Sequence, residues 1–385
     1  PLNPAAYSLT PRQGFLFDFG VEGVNFYNRQ QKYADGAQTT SRTSYNTFNV
    51  HDIAFQLPLA RRLGLGFSLT PYSSVGYRVS ADEQSDDVWG NIGRVQYLYA
   101  GEGDLTEVKL GIGWEVVKRV SIGVAAQYYW GDIERTYQTV VSNNIVNGGS
   151  VNTVTGTDSY GISRIKMQLG LQADLIQSER QVLTLGATYD MGGNLRPSVN
   201  QTVVNGDIYG TVVRGDTTRM ALKLPVQLGV GLYYQNAKIA AGVDYIYQNW
   251  ENNESPKSVP GAVNVAYKNT NTVKLGFEYT PNRMDIRNYL KRWSYRVGFR
   301  YGTYYQTFEG KTLSQYAVTA GFGMPVRFLG RSSIDFGVEF GQRGNDSPLR
   351  IDNRQIGLVR QRYVKFSLGL TLFGEDSWFV RYKYD

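Results

Sequence analysis

The chain has 385 residues, a net charge of +7, one His, no Cys, 43 Gly and 29 Tyr. Without Cys there is no disulfide, zinc ribbon or thiol catalyst, and no run of about 18 apolar residues offers a membrane-spanning helix. The chain opens at Pro1-Leu2-Asn3-Pro4 with no basic n-region or apolar core, so an exported protein is expected to carry its signal ahead of this numbering.

The strand-like segments share one pattern. In Val108–Val116, Ile334–Phe340 and Val364–Leu370, bulky apolar residues alternate with Gly and charge. Period two marks β-strands with two different faces. An apolar outside and a polar inside fit a transmembrane antiparallel barrel.

In chain order, strand one runs from about Gly14 to Tyr27, with Phe15, Phe17, Phe19 and Val21 outward and Asp18, Gly20 and Glu22 inward. A polar loop is predicted over 28–45. Strand two covers Phe48–Leu59, and the tight connection Ala60-Arg61-Arg62 leads to strand three, Leu63 to about Val79. A second outer loop is predicted over 80–104. Strand four, Thr106–Val117, turns at Lys118-Arg119 into strand five, Val120–Glu134. After a loop near 136–158 come strand six, Tyr160–Ile176, and strand seven, Val182–Met191.

A loop at 192–216 precedes strand eight, Thr217–Tyr234, with Leu222, Leu224, Val226, Leu228, Val230 and Leu232 outward. Strand nine ends near Trp250, and a loop at 251–269 leads to strand ten, Thr270–Thr280. Pro281–Arg292 reads as a short amphipathic helix. Strands eleven (Trp293–Phe308) and twelve (Leu313–Phe328) form a hairpin around Glu309-Gly310-Lys311. Strand thirteen (Ser332–Gln342), a loop at 343–357 and strand fourteen (Leu358–Phe373) complete about 14 strands, the even number of outer-membrane barrels. Short connections alternate with long ones, as periplasmic turns and extracellular loops do.

The inward charges are Asp18, Glu22, Lys109, Glu115, Lys166, Asp174, Lys223, Lys238, Asp244, Lys274, Glu278, Arg296, Arg300, Asp335, Glu339 and Lys365. Both signs occur, so they read first as structural ion pairs and second as a substrate path. Charges facing a lumen must pair or be hydrated, which argues against a continuous greasy tunnel at mid-depth. Trp114, Tyr128, Trp130, Tyr245, Trp250, Trp293 and Tyr295 lie near strand ends and read as aromatic girdles.

No enzyme motif is complete. His51 is the one His and sits near a strand edge, so it reads as a solvated or interfacial residue. No phosphate-binding loop, dinucleotide fingerprint or zinc-protease motif is present. Asp82-Glu83 and Asp86-Asp87 read as a solvated acidic loop rather than a Ca²⁺ site. The basic balance does not form a stripe, and no nucleic-acid partner is expected. The expectation is therefore no catalytic, cofactor or metal site. Arg61-Arg62, Lys118-Arg119, Lys238, Arg283, Arg287, Lys291-Arg292 and Arg331 cluster at short connections. They read either as contacts to anionic headgroups or as ordinary solvated turn charge.

Asn3-Pro4-Ala5-Ala6 just before strand one, with about 14 Gly-rich strands, resembles the FadL-type outer-membrane proteins. Pro281–Arg292 and the tail Trp378–Tyr384 resemble a branch of these found in Bacteroidota. The resemblance implies a place in the outer membrane of a Gram-negative bacterium, an N-terminal hatch in the barrel and an outer hydrophobic pocket. It also implies a lateral opening, at a strand kink, that passes fatty acids or other hydrophobic compounds to the lipid phase.

On this basis residues 1–12 are a hatch-like remnant, 13–373 the barrel and 374–385 a periplasmic tail, with Trp378 and Phe379 as interface anchors. Val95–Tyr99 and Ile208–Val213 are the nearest pocket candidates and read equally as strand extensions. Some barrels like this branch serve as subunits of larger assemblies, including the β-barrel assembly machinery with surface lipoproteins. The implied role is thus a non-enzymatic scaffold among such partners, with membrane lipids and lipopolysaccharide around it. The alternative is passive uptake of a hydrophobic small molecule.

Overall fold

The computed structural model describes residues 3–10, 14–34, 37–83, 85–143, 150–205, 212–214, 218–219, 223–251, 258–259, 263–326, 332–351 and 354–375. The anchors Trp378 and Phe379, Leu222 and Arg331, and 208–211 of the second pocket candidate lie outside them.

The strands close into a 14-stranded antiparallel barrel. They are β1 (Gly14–Ala34), β2 (Ala37–Ala60), β3 (Leu63–Asp82), β4 (Arg94–Val117), β5 (Val120–Asn143), β6 (Ser150–Gln177) and β7 (Gln181–Asp190), then β8 (Val226–Asn236), β9 (Ile239–Asn249), β10 (Thr270–Tyr279), β11 (Ser294–Phe308), β12 (Lys311–Val326), β13 (Ser332–Arg343) and β14 (Val359–Glu375). Each pairs with its sequence neighbour. Closure comes from β1 against β14, in register from Gly14–Glu375 to Gln30–Val359. The period-two faces fall as expected: Phe366, Leu368, Leu275 and Val230 are exposed outside, while Lys365 reaches Glu22 inside.

Three of the expected outer loops are instead tall hairpins. β4 and β5 each have 24 residues and β6 has 28, where about 9–11 cross a membrane. The ladder continues through Tyr137–Gly156 and Asn143–Ser150, and β1 pairs with β2 up to Ala34–Ala37. The segments 28–45 and 136–158 are polar and rich in Thr, Ser, Asn and Tyr. They lack the apolar face by which a sequence reveals a strand, yet backbone pairing needs no apolar face once both sides are in water. Val95–Tyr99 is likewise an extension of β4, paired with β5 throughout and with β3 from Gln96 onward.

Two other expectations change. Pro281–Arg292 is not an amphipathic helix. Asn282 Oδ1 accepts from the Met284 amide at 3.1 Å, Asp285 Oδ1 from Arg287 and Asn288 at 2.9 and 2.8 Å, and Asn288 Oδ1 from Leu290 at 3.0 Å. These local bonds compete with the helix, and only a 3₁₀ turn, Tyr289–Arg292, remains. The Asn288 and Arg287 amides, with Lys291, hold the Asp285 carboxyl below its usual pKa.

Strand eight begins at Val226, not Thr217. Pro225 has no amide for the ladder, and the chain before it bends inward. Lys223 therefore pairs with Asn194 in a short ladder inside the barrel, and Leu224 leaves the outer row.

Candidate functional site: luminal plugs, charge clusters and a fork in the wall

The N-terminal residues fill the short-turn end of the lumen. Pro4–Leu9 forms a 3₁₀ helix capped by the Asn3 side chain, which accepts from the Ala5 amide at 3.0 Å. Asn3 Nδ2 also donates to the carbonyls of Leu171 on β6, at 2.9 Å, and Ala187 on β7, at 3.3 Å. Ser8 Oγ meets Ser121 Oγ of β5 at 2.8 Å, and Gln56 of β2 donates to Thr10 and to the Ala6 and Tyr7 carbonyls. Tyr7 is 1% exposed.

Inward glycines make this fit possible. A methyl group at Gly64 would strike the Tyr7 carbonyl, at Gly66 the Tyr7 ring, at Gly113 and Gly123 the Pro4 backbone, and at Gly170 the Asn3 side chain. Their absent side chains form a cradle across β3 to β6. The Gly alternation on these strands thus makes room for a plug, and not only for long charged side chains.

The opposite end holds part of the β7–β8 connection. Gly193–Asn194 pairs with Lys223–Leu224, and Leu195, 1% exposed, packs with Leu105, Ile162, Ile133 and Leu224. Arg164 Nε donates to the Leu195 carbonyl at 3.1 Å. Trp250 joins this end and leaves the expected girdle. It stacks on Tyr305 at 4.3 Å and donates to inward-facing Gln248 at 3.0 Å.

Between the inserted segments the lumen is polar. A cavity of about 370 Å³ is lined by Lys109, Lys166, Asp190, Glu107, Gln127 and Gln168 among others. Asp190 accepts from Gln227 at 2.9 Å and Gln127 at 3.4 Å, and Gln248 donates to Gln227 at 2.8 Å. A second cavity, about 840 Å³, includes Asp18, Asp52, Asp244, Lys274, Glu278 and Arg296.

The inward charges form separate clusters rather than one network. Lys365 meets Glu22 at 2.8 Å, and Thr371 donates to Asp18 at 2.8 Å. Arg296 bridges Glu278, at 2.8 Å, and Asp335. Glu339 accepts from Arg300 at 2.8 Å and from the Tyr363 hydroxyl at 2.6 Å. Glu115 stands at the turn rim, 3.3 Å from Arg62 and bonded to the Arg119 amide at 3.1 Å. Asp174 accepts from Thr184 at 2.8 Å. Asp244 and Lys274 are direct cross-strand partners. Lys238 lies in the β8–β9 turn, its amide on Asn236.

Among the described residues, the wall divides between β2 and β3. β2 and β3 pair from Ala60–Leu63 to Ile53–Leu69 and no further among the described residues. Above that level β2 continues against β1 and β3 against β4. An extra residue sits on each strand at the fork. His51 is the bulge between the Asp52–Gly20 and Val50–Val21 pairs, and Tyr72 the bulge between Pro71–Thr106 and Ser73–Leu105. Such bulges bend a strand and re-aim a side chain. His51 Nδ1 lies 2.6 Å from Asp52, and Tyr72 packs edge-on against Tyr129 at 4.8 Å. The charge pattern foretold neither the fork nor the plug. The available signals were the FadL-type resemblance, which implied a hatch and a lateral opening at a strand kink, and a break in hydrophobic phase at Val50-His51-Asp52.

Solved structures with this fold include a Pseudomonas aeruginosa FadL homologue (13% identical, 96% of this chain and 92% of that chain covered, TM-score 0.62). The Pseudomonas putida toluene transporter TodX is similar too (16%, 97% and 92%, TM-score 0.58), as is the Ralstonia pickettii toluene transporter TbuX (15%, 96% and 92%, TM-score 0.54). No curated protein matches the chain. The barrel is thus an integral outer-membrane protein of FadL-like fold. A family model named BamG matches residues 2–385, essentially the whole of this plugged and forked barrel, and the chain belongs to the BamG family.

Proposed function

We propose that this barrel is a non-enzymatic partner subunit of an outer-membrane protein assembly complex, working beside other outer-membrane proteins and surface lipoproteins. The lumen carries this reading: both its ends hold inserted segments, and the cavity between them is lined by Lys109, Asp190 and glutamines. A hydrophobic cargo crossing that chamber would strip water from these groups without replacing their hydrogen bonds. The tall hairpins of β1–β2 and β4–β6 offer ordered surface outside the membrane instead. Membership of the BamG family agrees with the reading.

Affinity purification from native membranes tests it. Stoichiometric recovery with a barrel-insertion subunit and surface lipoproteins is the expected result. Recovery of the chain alone would refute it.

A second reading, passage of hydrophobic small molecules, draws on the fork and has more support from the solved structures of similar fold, two of which are toluene transporters. In it, a ligand leaves sideways between β2 and β3, past His51 and Tyr72, which also line the polar chamber. Deleting His51 and Tyr72 together removes both bulges and lets the two strands pair further. Under this reading hydrocarbon uptake by cells falls about tenfold or more, as when a gate is shut. Unchanged uptake in a folded deletion variant would exclude the lateral route.

A further inference from the structure

Three arginines stand side by side on the outer surface. Arg29 of β1 is the direct cross-strand partner of Arg42 on β2 and of Arg360 on β14. Direct partners project from the same face. That face is the outer one, because Tyr363 and Lys365 of β14 point inward to Glu339 and Glu22. The alternate residues Val364, Phe366 and Leu368 therefore face lipid, and Arg362 and Arg360 extend their row toward the extracellular side. Arg362 lies across from Tyr27, which is 52% exposed. The groove among these side chains has a volume of about 410 Å³.

The charges there do not balance. Like charges directly opposite one another destabilise a sheet. Asp346 is the acid in contact, 3.4 Å from Arg29 and 3.6 Å from Arg360, long for charge-assisted hydrogen bonds. Arg29 Nε is shielded from water and has, beyond this 3.4 Å contact with Asp346, no hydrogen-bond partner among the described residues. Arg362 Nε donates to the neutral Gln342 amide at 3.0 Å. Among the described residues one carboxylate faces four guanidinium groups, which leaves room for a further anion.

We propose that Arg29, Arg42, Arg360 and Arg362 bind the phosphate groups of an outer-leaflet glycolipid of the lipid A type. Height selects this ligand. The lipid-facing row ends at Val364, Tyr27 marks the interface level where Tyr side chains gather, and the guanidinium groups begin there. Planar guanidinium forks match phosphate oxygens. Acyl chains of the same molecule would lie along Phe366 and Leu368 below.

The test uses the full chain in detergent and an Arg42→Gln/Arg362→Gln variant, both positions exposed. A second variant adds Arg29→Gln and Arg360→Gln. Affinity is measured for bisphosphorylated lipid A, dephosphorylated lipid A and inorganic phosphate, with folding checked by heat-modifiable migration. Phosphorylated lipid A is expected to bind the unaltered chain best. The double variant loses about tenfold or more, through two missing charge-assisted bonds, and the quadruple variant loses more. Equal binding by variants and unaltered chain, or equal binding of dephosphorylated lipid A, overturns the site. Binding of inorganic phosphate without lipid A overturns the lipid source in favour of a soluble anion. An acidic protein held on this patch in native complexes, with no lipid A retained, also overturns it.

Discussion

Replacing Gly123 with valine will drive the N-terminal helix out of the lumen while the barrel remains folded. A side chain at this position meets the Pro4 backbone and the Ala5 amide, which cannot swing aside as a side-chain tip can. Overpacking normally costs about 1–3 kcal/mol, and here relief requires the whole helix to move. The bonds at stake are those of Asn3 to Leu171 and Ala187, Ser8 to Ser121, and Gln56 to Thr10. Burial of Tyr7 is lost with them, about 2 kcal/mol for a large side chain.

A net loss of about 3 kcal/mol corresponds to roughly 100-fold in the opening equilibrium. The chain has no Cys, so a Ser8→Cys background gives a clean probe. Thiol labelling at that site should accelerate by that factor in Gly123→Val. Gly66→Ala should respond less, because it meets only the Tyr7 ring. Unaltered labelling in a folded Gly123→Val protein would show that the cradle does not hold the helix.

Glu339→Leu should be the most destabilising change among the luminal charges. Glu339 holds Arg300 at 2.8 Å and Tyr363 at 2.6 Å, and Arg300 stands directly opposite Lys274 across β10 and β11. Without the carboxylate, two cations face each other in a confined space. Breaking a fully buried pair costs about 3–5 kcal/mol. The Arg300 side chain is 34% exposed and Glu339 16%, so solvent screening lowers the expected cost to about 2 kcal/mol. Urea unfolding in lipid or detergent measures it. Glu339→Leu with Arg300→Met should regain part of the loss, since both charges then go. A double variant no better than the single would mean that pairing is not what Glu339 supplies.

The inward set read from the sequence thus separates into unequal parts. Alternation placed Glu22, Arg296, Asp335, Glu339 and Lys365 in the lumen, because side-chain direction follows strand parity. Lys223 also lies inside the barrel, but on the inserted segment before Pro225 rather than on a wall strand, and Trp250, read as a girdle residue against its own parity, points inward. The charge reading also left out Asp190, Gln127 and Gln227, which line the chamber as fully as the lysines do. An amide on the inward face of a Gly-rich strand carries no charge signal. Ladders among such amides form only when β5, β7, β8 and β9 are brought side by side.

By itself the sequence determined the membrane barrel, its outward apolar rows and most of its short turns. Period-two alternation and turn chemistry act over a few residues and need no distant partner. Only the tertiary structure decided how high the polar hairpins rise, where the wall forks, and that Asn3-Pro4-Ala5 lies against Gly123 and Gly170. The same holds for the arginine row, whose members at 29, 42 and 360 meet only when the last strand closes on the first. Register across a closed sheet is a property of the whole ring, and no local window of the chain contains it.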